Sequence, residues 1–139
     1  MYLYGTSLYQ HSTNDYIYLG PGGADYFGWA AGLNSWYYLA LTYSGNAYTA
    51  KLYVNGAMKN INIQTGGDIS AFSNRISNNT LAFNGLIDDV RAYNQVIPTS
   101  QIQQNYYSGL NNLFRSKEMV KSEYLKNLSE LKQSLVNNN

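Results

Sequence analysis

The 139-residue chain has no cysteine, two prolines and one histidine, and only 12% of its residues are charged. Without cysteine there can be no disulfide framework, no thiolate zinc site and no thiol nucleophile. Nine Lys+Arg against eight Asp+Glu leave a net charge of +1, too little for an electrostatic footprint on nucleic acid or an anionic membrane surface. No run of about 18 apolar residues occurs, so no segment reads as a membrane-spanning helix. Met1-Tyr2-Leu3-Tyr4-Gly5 offers neither a basic nor an apolar leader region, and an export signal is not expected within this chain. Glutamate is missing from residues 1–114, where all five acids are aspartate: 15, 25, 68, 88 and 89.

Tyrosine is abundant instead, at fifteen residues, and twelve glycines accompany it. Tyrosine joins β propensity to an amphipathic ring and suits sheets with wet outer faces. Glycine and asparagine supply the turns that such sheets need. The pattern predicts strands over Tyr16–Leu19, Tyr26–Ala31, Trp36–Tyr43, Tyr48–Val54 and Ala57–Ile63. Further strands are predicted over Ile69–Ile76, Leu81–Phe83 and Leu86–Tyr93. Tyr37, Leu39 and Leu41 share one face of their strand, opposite Tyr38, Ala40 and Thr42. Asn55-Gly56 is a favoured two-residue hairpin turn, because both central positions need positive φ. Short strands at this spacing, with no long helices between them, predict a mainly β antiparallel sandwich.

Beyond Pro98 the chemistry changes, dividing the chain into a β region at 1–98 and a helical tail at 99–139. Residues 115–132 hold eight charges, including every glutamate. Ile102, Tyr106, Leu110 and Leu113 recur at helical spacing, with Gly109 a weak point that would divide the run. Tyr124, Leu125, Leu128, Leu131 and Leu135 form a second apolar stripe. A helical hairpin is expected, turning at about 115–120 and resuming over 121–136. Its stripe is expected to dock on the sandwich, with self-association of two tails as the alternative.

Three segments carry a family resemblance: Trp36 to Tyr43, then Lys51-Leu52-Tyr53-Val54-Asn55-Gly56, then Phe83-Asn84-Gly85-Leu86-Ile87-Asp88-Asp89-Val90-Arg91-Ala92-Tyr93. In this order they resemble the laminin-G-like, concanavalin A-like jelly-roll family, over roughly residues 26 to 107. The resemblance implies an antiparallel jelly-roll β-sandwich. Family members have several strands before the Trp-led strand, so this chain is expected to be the C-terminal portion of such a domain or a shortened variant. It also implies an extracellular or cell-surface location. Trp36, at the head of a family strand, is expected in core or rim packing.

Catalysis finds little support. The glucanases that share this jelly roll carry an E-x-D-x-x-E strand motif, which does not occur here. Asp88 and Asp89 are adjacent on a predicted strand, so they should face opposite sides and cannot flank one scissile bond. One is expected to accept backbone N–H bonds or pair with Arg91 or Arg75 and the other to be solvated, with a calcium-ligand role as the alternative. His11 has no triad context, and Gly20-Pro21-Gly22-Gly23 is not followed by the Gly-Lys-Ser/Thr of a phosphate loop. The chain is expected not to be an enzyme.

Sugar recognition needs aromatic faces for pyranose C–H groups and short polar side chains for hydroxyls. His11, Asn14, Asp15, Tyr16, Asp25, Tyr26 and Trp29 cluster around glycine-rich turns, and are the candidate glycan-binding residues. The same tyrosines read equally well as sheet-face residues. Asp15 and Asp25 are weak candidates to hold Ca2+ with loop carbonyls; no other cofactor is expected. The sequence thus predicts a non-catalytic surface module that binds glycans or surface proteins. The alternative is an assembly subunit of a surface appendage, pilin-like, with the jelly roll as spacer and the tail as contact.

Overall fold

The computed structural model describes residues 8–10, 16–19, 26–44, 49–63 and 85–137. The elements run β1 (Leu8–Gln10), β2 (Tyr16–Leu19), β3 (Tyr26–Ala30), β4 (Leu39–Ser44), β5 (Thr49–Val54), β6 (Ala57–Ile63), α1 (Thr99–Arg115) and α2 (Lys121–Asn137). They form two three-stranded antiparallel sheets, β1-β2-β3 and β4-β5-β6, and a helical pair. The sheets approach each other along β3 and β6. The expected strands Ile69–Ile76 and Leu81–Phe83, which a full jelly roll would use, lie outside the described residues.

The second sheet is a hairpin with a third strand, and its sequence explains it. Asn55 and Gly56 take φ of 52° and 76°, the positive values that a tight two-residue turn requires. Asn55 also ties the turn to the start of β4: its N–H donates to the Tyr38 carbonyl at 2.8 Å, and its Oδ1 accepts the Tyr38 N–H at 3.0 Å. The β4–β5 ladder therefore opens at Leu39↔Val54, later than the predicted start at Trp36. Trp36 itself is 66% exposed and precedes the strand. Of the core or rim packing expected for Trp36, the core is thus excluded, and Tyr37 packs on the inner cluster instead.

Strand β5 is buried on both sides. Ala50, Leu52 and Val54 form the inner cluster, with Trp29, Tyr37 and Leu41 packed on it. Each fully buried side chain of Leu52 size contributes about 1.5–3 kcal/mol of transfer free energy. On the opposite face, Thr42 and Tyr53 are also buried, although the alternation suggested a wet surface. The chain at 96–99 covers them, as described below.

Residues 86–93 depart from the predicted strand. They form no ladder, and Leu86, Ile87 and Val90 are exposed, Leu86 by 77%. The physical reason is local. Asp88 Oδ1 accepts the Asp89 N–H at 2.8 Å, and Asp89 turns into the left-handed region at φ 50°, which breaks an extended run. Asp88 and Asp89 are therefore not alternate residues of a strand, as expected above.

The tail follows its predicted boundaries closely. Helix α1 runs unbroken through Gly109, the weak point of its sequence. The Pro98 carbonyl accepts from Gln101 and Ile102 at 3.0 and 3.1 Å. At the other end, the Lys117 N–H donates to Phe114 O and the Glu118 N–H to Leu113 O. That paired pattern, with Lys117 at φ 64°, is a Schellman ending with lysine at the position that glycine usually takes. Phe114 and Tyr124 stack at 4.6 Å across the connection. Tyr106, Leu110 and Leu131 are buried together, with Tyr38, Tyr124 and Leu128 packed on them. The Tyr38 and Tyr106 rings lie 5.8 Å apart, so the tail docks on the end of the second sheet. Leu125 and Leu135 of the predicted stripe are exposed instead.

Candidate functional site

The sequence-predicted binding residues fall in two groups. His11, Asn14, Asp15 and Asp25 lie outside the described residues. Tyr16 stands in β2, while Tyr26 and Trp29 stand in β3, and these two strands are antiparallel neighbours. The register sets Tyr16 opposite Ala30 and Tyr26 opposite Tyr18, with an irregularity between. Trp29 is half-buried, edge-on to Tyr37 at 5.2 Å, and packs on the inner cluster. Tyr37 Oη in turn accepts the Gly32 N–H at 3.1 Å. A Cβ on Gly32 would stand 2.8 Å from that oxygen, so the small residue permits the approach.

The Asp88-Asp89 pair is a surface feature. Arg91 Nε and Nη2 donate to the two Asp89 carboxylate oxygens at 3.0 and 2.8 Å, a bidentate pair in open solvent. The Asp89 carboxylate and then Tyr93 raise the Arg91 guanidinium above its ordinary value. Asp88 is engaged with the Asp89 backbone. Among the described residues no three His, Asp or Glu side chains gather as a metal site, and the calcium candidates Asp15 and Asp25 are not among those residues.

A cleft of about 220 Å³ opens on the outer face of the second sheet. Its floor comes from β4 and β5: Thr42 and Ser44 on one strand, Lys51 and Tyr53 on the other. Thr42 and Lys51 are directly opposed in the ladder. The wall is Val96, Ile97, Pro98 and Thr99, the extended approach to α1. Tyr53 Oη and Thr99 Oγ1 share a hydrogen bond of 2.9 Å, which fastens the wall to the floor. Thr99 thus uses its hydroxyl on the sheet, and α1 starts without a side-chain cap. Among the described residues, hydroxyl-bearing residues and Lys51 line one side and Val96, Ile97 and Pro98 the other.

Sequence reasoning missed this cleft. The signal present was the polar face of β4 and β5, which holds Thr42, Lys51 and Tyr53 in alternation with the core residues. Nothing in the linear order indicated that residues 96–99 would cross that face.

Joint electrostatics mark the tail contact as well. Burial raises the Tyr38 phenol above its ordinary 10.0, against the lowering effect of a hydrogen bond with Asn105. Burial, and then the Glu130 carboxylate, push Tyr106 up to about 12. Both pack where the tail meets the second sheet. Among the described residues, no helix is long and apolar enough to cross a membrane.

Comparison with known proteins adds the following. A laminin-G family model, described as the concanavalin A-like lectin/glucanases superfamily, matches residues 7–103. That span starts well before the Trp-led motif and takes in β1 and β2. No curated protein matches the chain significantly. Among solved structures, an S-layer domain-containing protein from Clostridium thermocellum ATCC 27405 is similar at 16% identity and a TM-score of 0.40. That likeness covers 76% of this chain and 65% of the other.

Proposed function

The chain belongs to the concanavalin A-like lectin/glucanase superfamily, and from that premise we propose that it is a non-catalytic surface module that binds glycans or surface proteins. The family match over residues 7–103 carries the reading. Supporting it, residues 1–98 contain no glutamate, and Asp88 and Asp89 are engaged with the Asp89 backbone and with Arg91. A fold hosts sites without implying them, so the assignment concerns binding and an extracellular or cell-surface setting.

Glycans are favoured over assembly by the tail's packing. Tyr106, Leu110 and Leu131, part of the apolar stripes that an assembly contact would use, are covered within the same molecule by Tyr38 and Leu128, while Leu125 and Leu135 remain exposed. Two regions are the proposed ligand sites: strands β2 and β3, which carry Tyr16, Tyr26 and Trp29, and the cleft floored by Thr42 and Lys51. Calcium, if used, would be held by Asp15 and Asp25 with loop carbonyls.

The test is a glycan array probed with the full chain, in calcium and again in chelator. Selective binding is the expected outcome. Loss in chelator would assign calcium to the site, and persistence would remove it. A blank array from folded protein that instead forms concentration-dependent oligomers would overturn the reading in favour of an assembly subunit.

A further inference from the structure

We propose that the cleft between β4, β5 and residues 96–99 binds the carboxylate-bearing ring of an acidic sugar, with Lys51 as the partner of the carboxylate. The proposal rests on the glycan-binding reading and gives it a second site and a ligand class. Among the described residues, the lining holds one cation and no carboxylate. Lys51 is half-buried there, beside the buried Thr42 and Tyr53. A lysine ammonium gains from a charge-assisted hydrogen bond, and a carboxylate supplies its acceptor.

The remaining chemistry selects a sugar over a bare anion. Four hydroxyl-bearing residues, Thr42, Ser44, Tyr53 and Thr99, line the cleft, and a hydroxyl offers one O–H and two lone pairs. Tyr53 and Thr99 share one bond and retain one O–H between them. Such a lining matches a ring that presents alternating hydroxyls. Val96, Ile97 and Pro98 form an aliphatic wall for the ring's C–H face, as apolar lining does in most ligand sites. The volume of about 220 Å³ lies below the roughly 300–1,000 Å³ of sites for drug-sized molecules, so one ring is accommodated and the rest of a chain would run out into solvent.

The full chain is titrated with glucuronate, with glucose as the same ring without charge, and with acetate as the carboxylate without a ring. Binding is followed by NMR shifts of the Thr42 and Val96 methyls. Glucuronate is expected to bind about tenfold or more tightly than either control, as one charge-assisted bond implies. Lys51→Gln is expected to reduce glucuronate binding to the level of glucose without changing the unfolding temperature, and Lys51→Arg to retain most of it. Equal binding of glucose and glucuronate, or indifference to Lys51→Gln, would overturn the proposal. Acetate as strong as glucuronate, or a poly-glutamate peptide that outcompetes it through Lys51, would overturn the sugar assignment. If array glycans still bind after Lys51→Gln while glucuronate fails on the native chain, the module reading stands and only this site falls.

Discussion

Gly56 and Leu131, far apart in the chain, approach so closely that a Cβ on Gly56 would lie 2.8 Å from Leu131 Cδ1. The same Cβ would stand 3.1 Å from Tyr106 Cδ1. The hairpin turn of the sheet is thus also the seat of the helical tail. One residue serves both, since Gly56 holds φ of 76° for the turn and leaves space for the leucine.

Gly56→Ala is expected to destabilise the protein by about 2 kcal/mol or more, from positive φ and crowding together. Combining it with Leu131→Ala should give a coupling of about 1 kcal/mol, because the shortened side chain removes the clash. Urea midpoints of the two single variants and the double variant measure this. Additive losses would show that the turn and the tail are independent.

Gly109→Ala should act in the opposite direction. A Cβ at that exposed helical position meets nothing within 4 Å, so the gain is the helix preference of alanine, about 0.8–1 kcal/mol. A lower urea midpoint for this variant would mean that the helix is not formed around residue 109 in solution.

Lys117→Gly is expected to raise stability by about 1 kcal/mol. Lysine there holds φ of 64° to close the Schellman ending, and a left-handed conformation costs an L-residue about 1–2 kcal/mol. Thermal unfolding at neutral pH compares the two. An unchanged or lower midpoint would place the turn in another conformation.

Tyr106 makes stability depend on alkaline pH. Its folded pKa of about 12 lies above the ordinary 10.0, so between these values the unfolded chain releases the proton first. The contribution is therefore complete below pH 10 and declines as pH rises toward 12, by up to ~2–3 kcal/mol. Tyr106→Phe should flatten that share of the decline, measured as the difference between the two proteins' denaturant midpoints at pH 9 and pH 11. Parallel declines would mean that Tyr106 is solvated in the folded state.

Local signals carried much of this fold. Asn55-Gly56 announces its turn because few residues tolerate two positive φ angles in succession, and Ile102, Tyr106 and Leu110 announce their helix by spacing alone. Other features gave no comparable sign. Three residues are too few for β1 to show a period. Lys117 ends a helix by a conformation that its side chain does not favour, so no glycine marked the stop. The irregular run at 86–93 follows from Asp88 capping its neighbour, a local hydrogen bond that competes with the strand pattern of the same residues.

Composition and periodicity are enough to indicate tyrosine-rich antiparallel strands and a charged helical tail that begins after Pro98, because each follows from interactions between residues close in the chain. The burial of Tyr53 and Thr42, the seating of Leu131 on Gly56 and the cleft under Val96 to Thr99 depend on contacts between distant segments. Period-two alternation marks two faces of a strand without saying what covers the second, and that depends on where the chain returns. Lys51 illustrates the difference: in sequence it is one charge on a strand, and in the folded protein it is, among the described residues, the one cation lining a cleft with Thr42, Ser44, Tyr53 and Thr99.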